Sequence, residues 1–135
     1  MTDSTVPISE GEVFSAADRL IAAFAATDTD AYFDCFHPDA TFVFHTEPAT
    51  LPDRGSYQAL WSSWVADGWH VVDCRSSERT VTSVGDTAVF AHVVTTTTET
   101  GGVCTTTVER ESIVFTRTGD GLIAVHEHLS EAAAK

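Results

Sequence analysis

The sequence predicts an α+β domain: three amphipathic helices in the first half of the chain, laid over an antiparallel sheet built from the second half. Two observations carry this. Up to Gly68, apart from one short strand, apolar residues recur at intervals of three and four, as on one side of a helix. From Trp69 onward, β-branched runs alternate with Gly-containing breaks at Gly85-Asp86, Gly101-Gly102 and Gly119-Asp120-Gly121, which is strand-and-turn chemistry. Helices gathered ahead of an antiparallel sheet can cover one of its faces.

Residues 1–8 read as a flexible lead-in, 9–131 as a single domain and 132–135 as a tail. Ser9-Glu10-Gly11-Glu12 matches a capping box, and Val13, Phe14, Ala17, Leu20, Ile21 and Phe24 follow it on one helical face, with an end near Thr27. Asp28 or Thr29 starts a shorter helix with Tyr32, Phe33 and Phe36 inward, stopped by His37-Pro38. Ala40 to Thr46 alternates as a strand with Phe42 and Phe44 on one side. The Pro- and Gly-bearing segment Glu47–Gly55 is a loop. Ser56 can cap a third helix carrying Tyr57, Leu60, Trp61, Trp64 and Val65, which Gly68 ends. Trp69–Val84 is one long or bulged strand, and Thr87–Thr98 is the next. The threonine tracts Thr95–Thr98 and Thr105–Thr107, flanked by Val runs, read as exposed strand.

The last hairpin, Val103 to Ser130, organises the rest. With Gly119-Asp120-Gly121 as a three-residue loop and Gly121 at positive φ, Ile113, Phe115, Ile123, Val125 and Leu129 share one face. Glu111 and Glu127 fall in that apolar row, with Glu109 at its end. The other face carries Arg110, Ser112, Thr116, His126, His128 and Ser130. A four-residue loop scatters the apolar set, so the first register is preferred. It sets carboxylic acids on the face the helices should cover.

Composition narrows the function classes. One domain is expected for 135 residues, and 43% apolar with 20% charged residues is a globular balance. The formal net charge of -13 with no Lys/Arg cluster argues against nucleic acid and against anionic membrane as partners. The start of the chain has neither a basic nor an apolar leader region, and no stretch has the length of a membrane span, so a soluble, cytoplasmic protein is expected. Cys35, Cys74 and Cys104 are odd in number and widely spaced, fitting neither a disulfide framework nor a zinc site.

The element order, the loop after the first strand, the Gly101-Gly102 hairpin and above all Val125-His126-Glu127-His128-Leu129-Ser130 resemble the nuclear transport factor 2-like superfamily. Within it the chain is most similar to SnoaL-like proteins and to the association domain of calcium/calmodulin-dependent protein kinase II, from about Val13 to Ser130. The resemblance implies a cone-shaped, cystatin-like α+β barrel with a curved, mixed sheet. It also implies a deep pocket between the concave sheet and the helices, and a homodimer through the outer sheet face. It implies no single reaction, since the superfamily includes isomerases, cyclases, dehydratases, binding modules and oligomerisation hubs. Arginines that line the kinase association domain's pocket correspond here to Val93, Ile113 and Leu129. Glu111, four residues before Phe115, is similar to the acid that donates to the oxyanion in ketosteroid isomerases. Glu47-Pro48 loosely resembles their Asp-Pro base.

The candidate set is therefore His45, Glu47 and Glu111 for catalysis, and Phe42, Phe44, Trp61, Trp64, Val93, Ile113, Glu127 and Leu129 for the pocket wall. An acid on an apolar wall should have a raised pKa, so Glu111 is expected as a neutral donor, with His45 or Glu47 at the rim moving a proton. The alternative is that Glu109, Glu111 and Glu127 face water or pair with Arg110, Arg75 or Arg79. His126 and His128 lie side by side on the other face without an identifiable third ligand, so they read as structural, and neither a metal nor a cofactor is expected. His92 reads as core or interface. Two functions remain open: a cofactor-free isomerase, cyclase or dehydratase acting on a small apolar, oxygenated molecule, or a non-catalytic ligand-binding or oligomerisation module.

Overall fold

The computed structural model describes residues 7–119 and 121–132. Eight elements follow in order: α1 (Glu10–Ala25), α2 (Thr29–Phe33), β1 (Phe36–Phe44), α3 (Arg54–Ala66), β2 (His70–Val84), β3 (Thr87–Thr100), β4 (Val103–Thr118) and β5 (Gly121–Glu131). They form an α+β domain with one curved, open sheet of order β1-β5-β4-β3-β2. All neighbours are antiparallel except β1 and β5, which are parallel. The three helices cover one face.

Local chemistry accounts for most boundaries. Ser9 Oγ accepts from the Glu12 amide at 3.1 Å while Glu12 Oε1 accepts from the Ser9 amide at 3.0 Å, which closes the capping box of α1. Val13, Ala16, Ala17, Leu20 and Ala23 then form its buried stripe. Asp28 caps α2. For α3 the cap is Asp53 rather than Ser56: its Oδ1 accepts from the Ser56 amide at 2.8 Å, so the helix starts three residues early. Gly68, at φ 93°, leaves the helix in the left-handed region that a side chain resists.

Two segments differ from the sequence expectation. Phe36 does not extend α2 but opens β1, and the register between β1 and β5 shifts between Phe36 and Thr41. Pro38, lacking an N–H, is tolerated because β1 is an edge strand and the ladder is interrupted there. The last hairpin pairs Thr118 with Gly121, with positive φ at Gly119, and a register shift between Val114 and Phe115. Asp120 lies outside the described residues. From Val114 down, the pairing (Ile113 with Glu127, Glu111 with Leu129) is the one a three-residue loop dictates. Above the shift, Ala124 instead of Ile123 or Val125 meets Phe115 in the core. Most of the expected lead-in and tail also lies outside the described residues, but Ile8 is buried, and its amide donates to the Gly85 carbonyl at 3.2 Å.

The core joins Phe36, Phe42, Phe90, Ile113, Phe115 and Ala124 of the sheet to Val13, Ala17 and Leu20 of α1 and to Tyr32, Tyr57 and Trp61 above β1. Arg117 grips Glu12 with two bonds of 3.0 and 3.1 Å, tying β4 to the start of α1. Among the described residues no helix is long and apolar enough to cross a membrane.

Candidate functional site

Strand alternation sets the site. On the concave face β3 presents Phe90, His92, Val94, Thr96 and Thr98 in succession, and β4 presents Thr107, Glu109, Glu111, Ile113 and Phe115. Large apolar side chains fill one end, against α1. At the other end the inward residues are small or polar, and a cavity of about 340 Å³ remains between them and the helices. Leu20, Ile21, Phe24, Tyr32, Tyr57 and Trp64 roof it, with Trp69 beside them. Cys74, Val94, Thr96, Thr98, Thr107, Glu109, Glu111, Glu127 and Leu129 make the floor, and Phe44, Thr46 and Glu47 the rim.

A chain of polar side chains runs under this floor. Ser76 Oγ lies 2.6 Å from His92 Nδ1, and His92 Nε2 lies 2.6 Å from Glu111 Oε1. The chain closes with Ser76 donating to Nδ1 and Nε2–H donating to Glu111. His92 has no exposed side-chain surface and Glu111 only 11%. Glu127, 3% exposed, neighbours Glu111, and its Oε1 is enclosed without a donor as long as both groups are ionised. One shared proton resolves this. Burial, then the charge of Glu111, pushes the Glu127 carboxyl well above the usual range. Burial alone would raise Glu111 too, but hydrogen bonds from Glu127 and His92 outweigh it and hold that carboxyl below its usual value. The proton therefore resides on Glu127, and Glu111 is the carboxylate. This reverses the expectation of a raised pKa at Glu111, because its neighbour has no histidine to support a charge.

A second pair stands at the rim. His45 Nε2 is 2.6 Å from Glu109 Oε2, and Thr107 donates to the other oxygen of Glu109 at 3.3 Å. Above the floor, the Tyr32 and Tyr57 hydroxyls meet at 2.9 Å. Burial keeps both phenols neutral, well above their ordinary range. Burial likewise lifts the Cys74 thiol to about 11, so it too is neutral. The partners of Glu109 and Glu111 are histidines: Arg75 and Arg79 bond to Asp73 and Asp18 instead.

Residues 13–134 match the family model described as the SnoaL-like domain. The chain belongs to the SnoaL-like family. No curated protein matches it. Among solved structures it is similar to an NTF2-like protein with a cystatin-like fold from Novosphingobium aromaticivorans (21% identity, 93% of this chain and 82% of that one, TM-score 0.71). It is also similar to the CaMKII hub homology domain of Chlamydomonas reinhardtii (24% identity, 91% and 98%, TM-score 0.72). A third is the beta subunit of the benzoate 1,2-dioxygenase of Burkholderia mallei (14% identity, 98% and 93%, TM-score 0.76). At these identities the likeness speaks for the fold, which is the NTF2-like, cystatin-like one.

In this SnoaL-like cavity Glu47, Glu111, Phe44, Trp64, Glu127 and Leu129 are lining residues. Phe42, Trp61 and Ile113 are not: each is fully buried behind the wall, and Trp61 stacks on Tyr32 at 5.0 Å. Val93 is on the opposite face altogether, paired with Ser77 and Arg110, because His92 and Val94 take the inward positions of β3. His45 reaches the site through Glu109. On the outer face His126 Nδ1 is 2.7 Å from Thr41 Oγ1, and the His126 and His128 rings stand 6.4 Å apart. Among the described residues, no three His, Cys, Asp or Glu side chains form a group able to hold a metal.

Sequence reasoning missed His92, Ser76, Tyr32, Tyr57 and Cys74 as site residues. For His92 a signal existed: a two-residue Gly101-Gly102 turn pairs Thr100 with Val103 and, counted down the ladder, puts His92 opposite Glu111. The tyrosine pair joins α2 to α3 across 25 residues and has no local signature.

Proposed function

We propose that this chain is a cofactor-independent acid/base enzyme acting on a small, largely apolar, oxygenated molecule, of isomerase or dehydratase type. The Ser76–His92–Glu111–Glu127 chain beneath an aromatic-walled cavity carries this reading. Glu111 is the base: its carboxylate takes a proton from a carbon beside a carbonyl. Its lowered pKa makes it a weak base, so stabilisation of the enolate oxygen must supply much of the rate. The Tyr32–Tyr57 pair donates to that oxygen, joined by neutral Glu127 once Glu111 has taken up the carbon's proton and no longer holds the Glu127 hydrogen bond. His92 does not line the cavity and acts as a positioning residue, orienting Glu111 and spreading its charge. The proton then returns from Glu111 to another carbon, or Glu127 protonates a departing hydroxyl.

The test needs no natural substrate. Exchange of the α-protons of 2-tetralone in heavy water, followed by NMR, should be accelerated by the protein. Glu111→Gln should slow it by about 10²–10⁴, the usual contribution of a positioned base. Exchange no faster than buffer, or unchanged in Glu111→Gln, would sink the assignment.

A homodimer through the outer sheet face belongs to the same proposal. Val89 and Val108 are 36% and 48% exposed there, beside the half-buried Val93 and Val114. Light scattering should return twice the 14.5 kDa chain mass, and a dilution-independent monomer would count against it. Three free cysteines support a reducing, cytoplasmic setting.

A further inference from the structure

The cavity has an unusual charge balance. Among the described residues four glutamates, Glu47, Glu109, Glu111 and Glu127, reach its surface, and neither lysine nor arginine does. Arginines elsewhere bond to other groups: Arg54 to the Phe36 carbonyl at 2.9 Å, Arg79 to Asp18, and Arg117 to Glu12. The imidazoles that meet Glu109 and Glu111 are not part of the lining, so a ligand would meet carboxyl oxygens and aromatic faces. Glu127 Oε1, in a side chain almost wholly buried, has no donor from the protein. Across from the acids, Trp64 and Trp69 stand 5.3 Å apart at 53°, with Phe24 6.4 Å from Trp69. An ionised carboxylate in a poorly hydrated cavity attracts a cation strongly and repels an anion. Tilted indoles favour a cation over their faces as well as apolar rings against them.

We infer that the cavity selects a ligand carrying a positive charge, namely an aromatic or polycyclic amine whose ammonium group sits against Glu109 and Glu111 while its rings lie on Trp64 and Trp69. The ammonium group brings a positive charge to acids that the described lining residues leave without a lysine or arginine, and an organic cation suits a site whose acids do not converge as metal ligands do. For the proposed reaction this means a substrate bearing a basic nitrogen besides its oxygen. The inference rests on the cavity being a small-molecule site and does not depend on its being catalytic.

Calorimetric titration with three probes of matched shape tests it: 2-(1-naphthyl)ethylamine, 2-(1-naphthyl)ethanol and 1-naphthylacetate. The amine should bind at least about tenfold tighter than the alcohol, and the carboxylate more weakly than either. In Glu111→Gln that preference should shrink toward unity while the alcohol's affinity holds. Glu109→Gln, at the better-hydrated rim, gives the same readout should Glu111→Gln fail to fold. Alcohol and amine binding equally, or the carboxylate binding best, would overturn the charge selection and leave the pocket standing. No binding of any probe would overturn the small-molecule site itself, and with it this inference.

Discussion

The two halves of the concave sheet face are made by the same strands and obey opposite rules. On β3 the inward positions run from Phe90 to His92 to Val94, and on β4 from Phe115 and Ile113 to Glu111 and Glu109. Only one alternation step separates a dry core from an acid cluster. In the first half, helix α1 presses its small residues Val13, Ala16 and Ala17 onto large sheet side chains, and Phe14 meets Phe90 edge-on at 6.3 Å. In the second half, small sheet residues Cys74, Thr96 and Thr107 face Phe24, Tyr57 and Trp64 across a space that neither layer fills. Packing consumes the first half. The second is spared from packing, and its polar groups satisfy one another instead.

The comparison breaks most visibly in stability. Phe90→Ala in the filled half should cost about 3–5 kcal/mol, because α1 cannot collapse into the gap without losing its contact with β2. Thr96→Val keeps its volume in the open half, loses one weak bond to Cys74 at 3.8 Å, and should cost no more than about 0.5–1.5 kcal/mol. Urea unfolding of both variants checks this. Similar losses would mean that the cavity floor is as tightly packed as the core.

A second test sharpens the comparison through pH. The Glu127 carboxyl, pushed up by burial and by Glu111, holds its proton more tightly folded than unfolded. Unfolding therefore releases a proton between the ordinary value of 4.5 and the folded value. The associated stability is full below 4.5 and falls as pH rises, by at most about 1.4 kcal/mol per pH unit. Glu127→Gln removes the titrating group while keeping its shape, so the decline above pH 4.5 should flatten and the variant should gain on wild type toward neutrality. An infrared band of a protonated carboxyl at neutral pH should vanish with the same substitution. A wild-type protein whose stability rises over that window would show that both acids are ionised.

How much of this was legible follows from how far each feature reaches along the chain. The capping box at Ser9 and Glu12 and the turn at Gly101-Gly102 are local, and the sequence states them outright. The row containing Glu111 and Glu127 was readable because apolar alternation fixes register. Its upper end was not, since the register shift lets Ala124 displace Ile123 and Val125. The correspondence of Val93 to a relative's arginine points into the pocket, but counting from the Gly-Gly turn faces it outward. Whether β1 lies beside β5, and which tyrosines meet over the acids, depends on contacts between distant segments that no local pattern encodes.

The smallest expected effect concerns the ion pair at the edge of the filled half, where Arg117 grips Glu12. It is the counterpart of the His92–Glu111 pair in the open half, but the two differ in setting. Glu12 keeps 38% of its side-chain surface in water, so screening weakens the attraction. Hydrogen bonds from Arg117 and from the Ser9 amide nonetheless hold its carboxyl at about 2. A group with a depressed folded pKa adds stability above its unfolded value and loses it as pH falls through the folded one. Glu12→Gln isolates the charge, because glutamine at this position still completes the capping box with Ser9. Melting temperatures of wild type and variant should differ slightly above pH 4.5, with wild type higher, and converge as pH drops toward about 2. Added salt should narrow the gap at neutral pH. For Glu111 and its buried histidine, salt should change little, since counterions do not reach a side chain with no exposed surface. A gap at Glu12 that persists in acid and in salt would make the cap, and not the charge, responsible for holding α1 to β4.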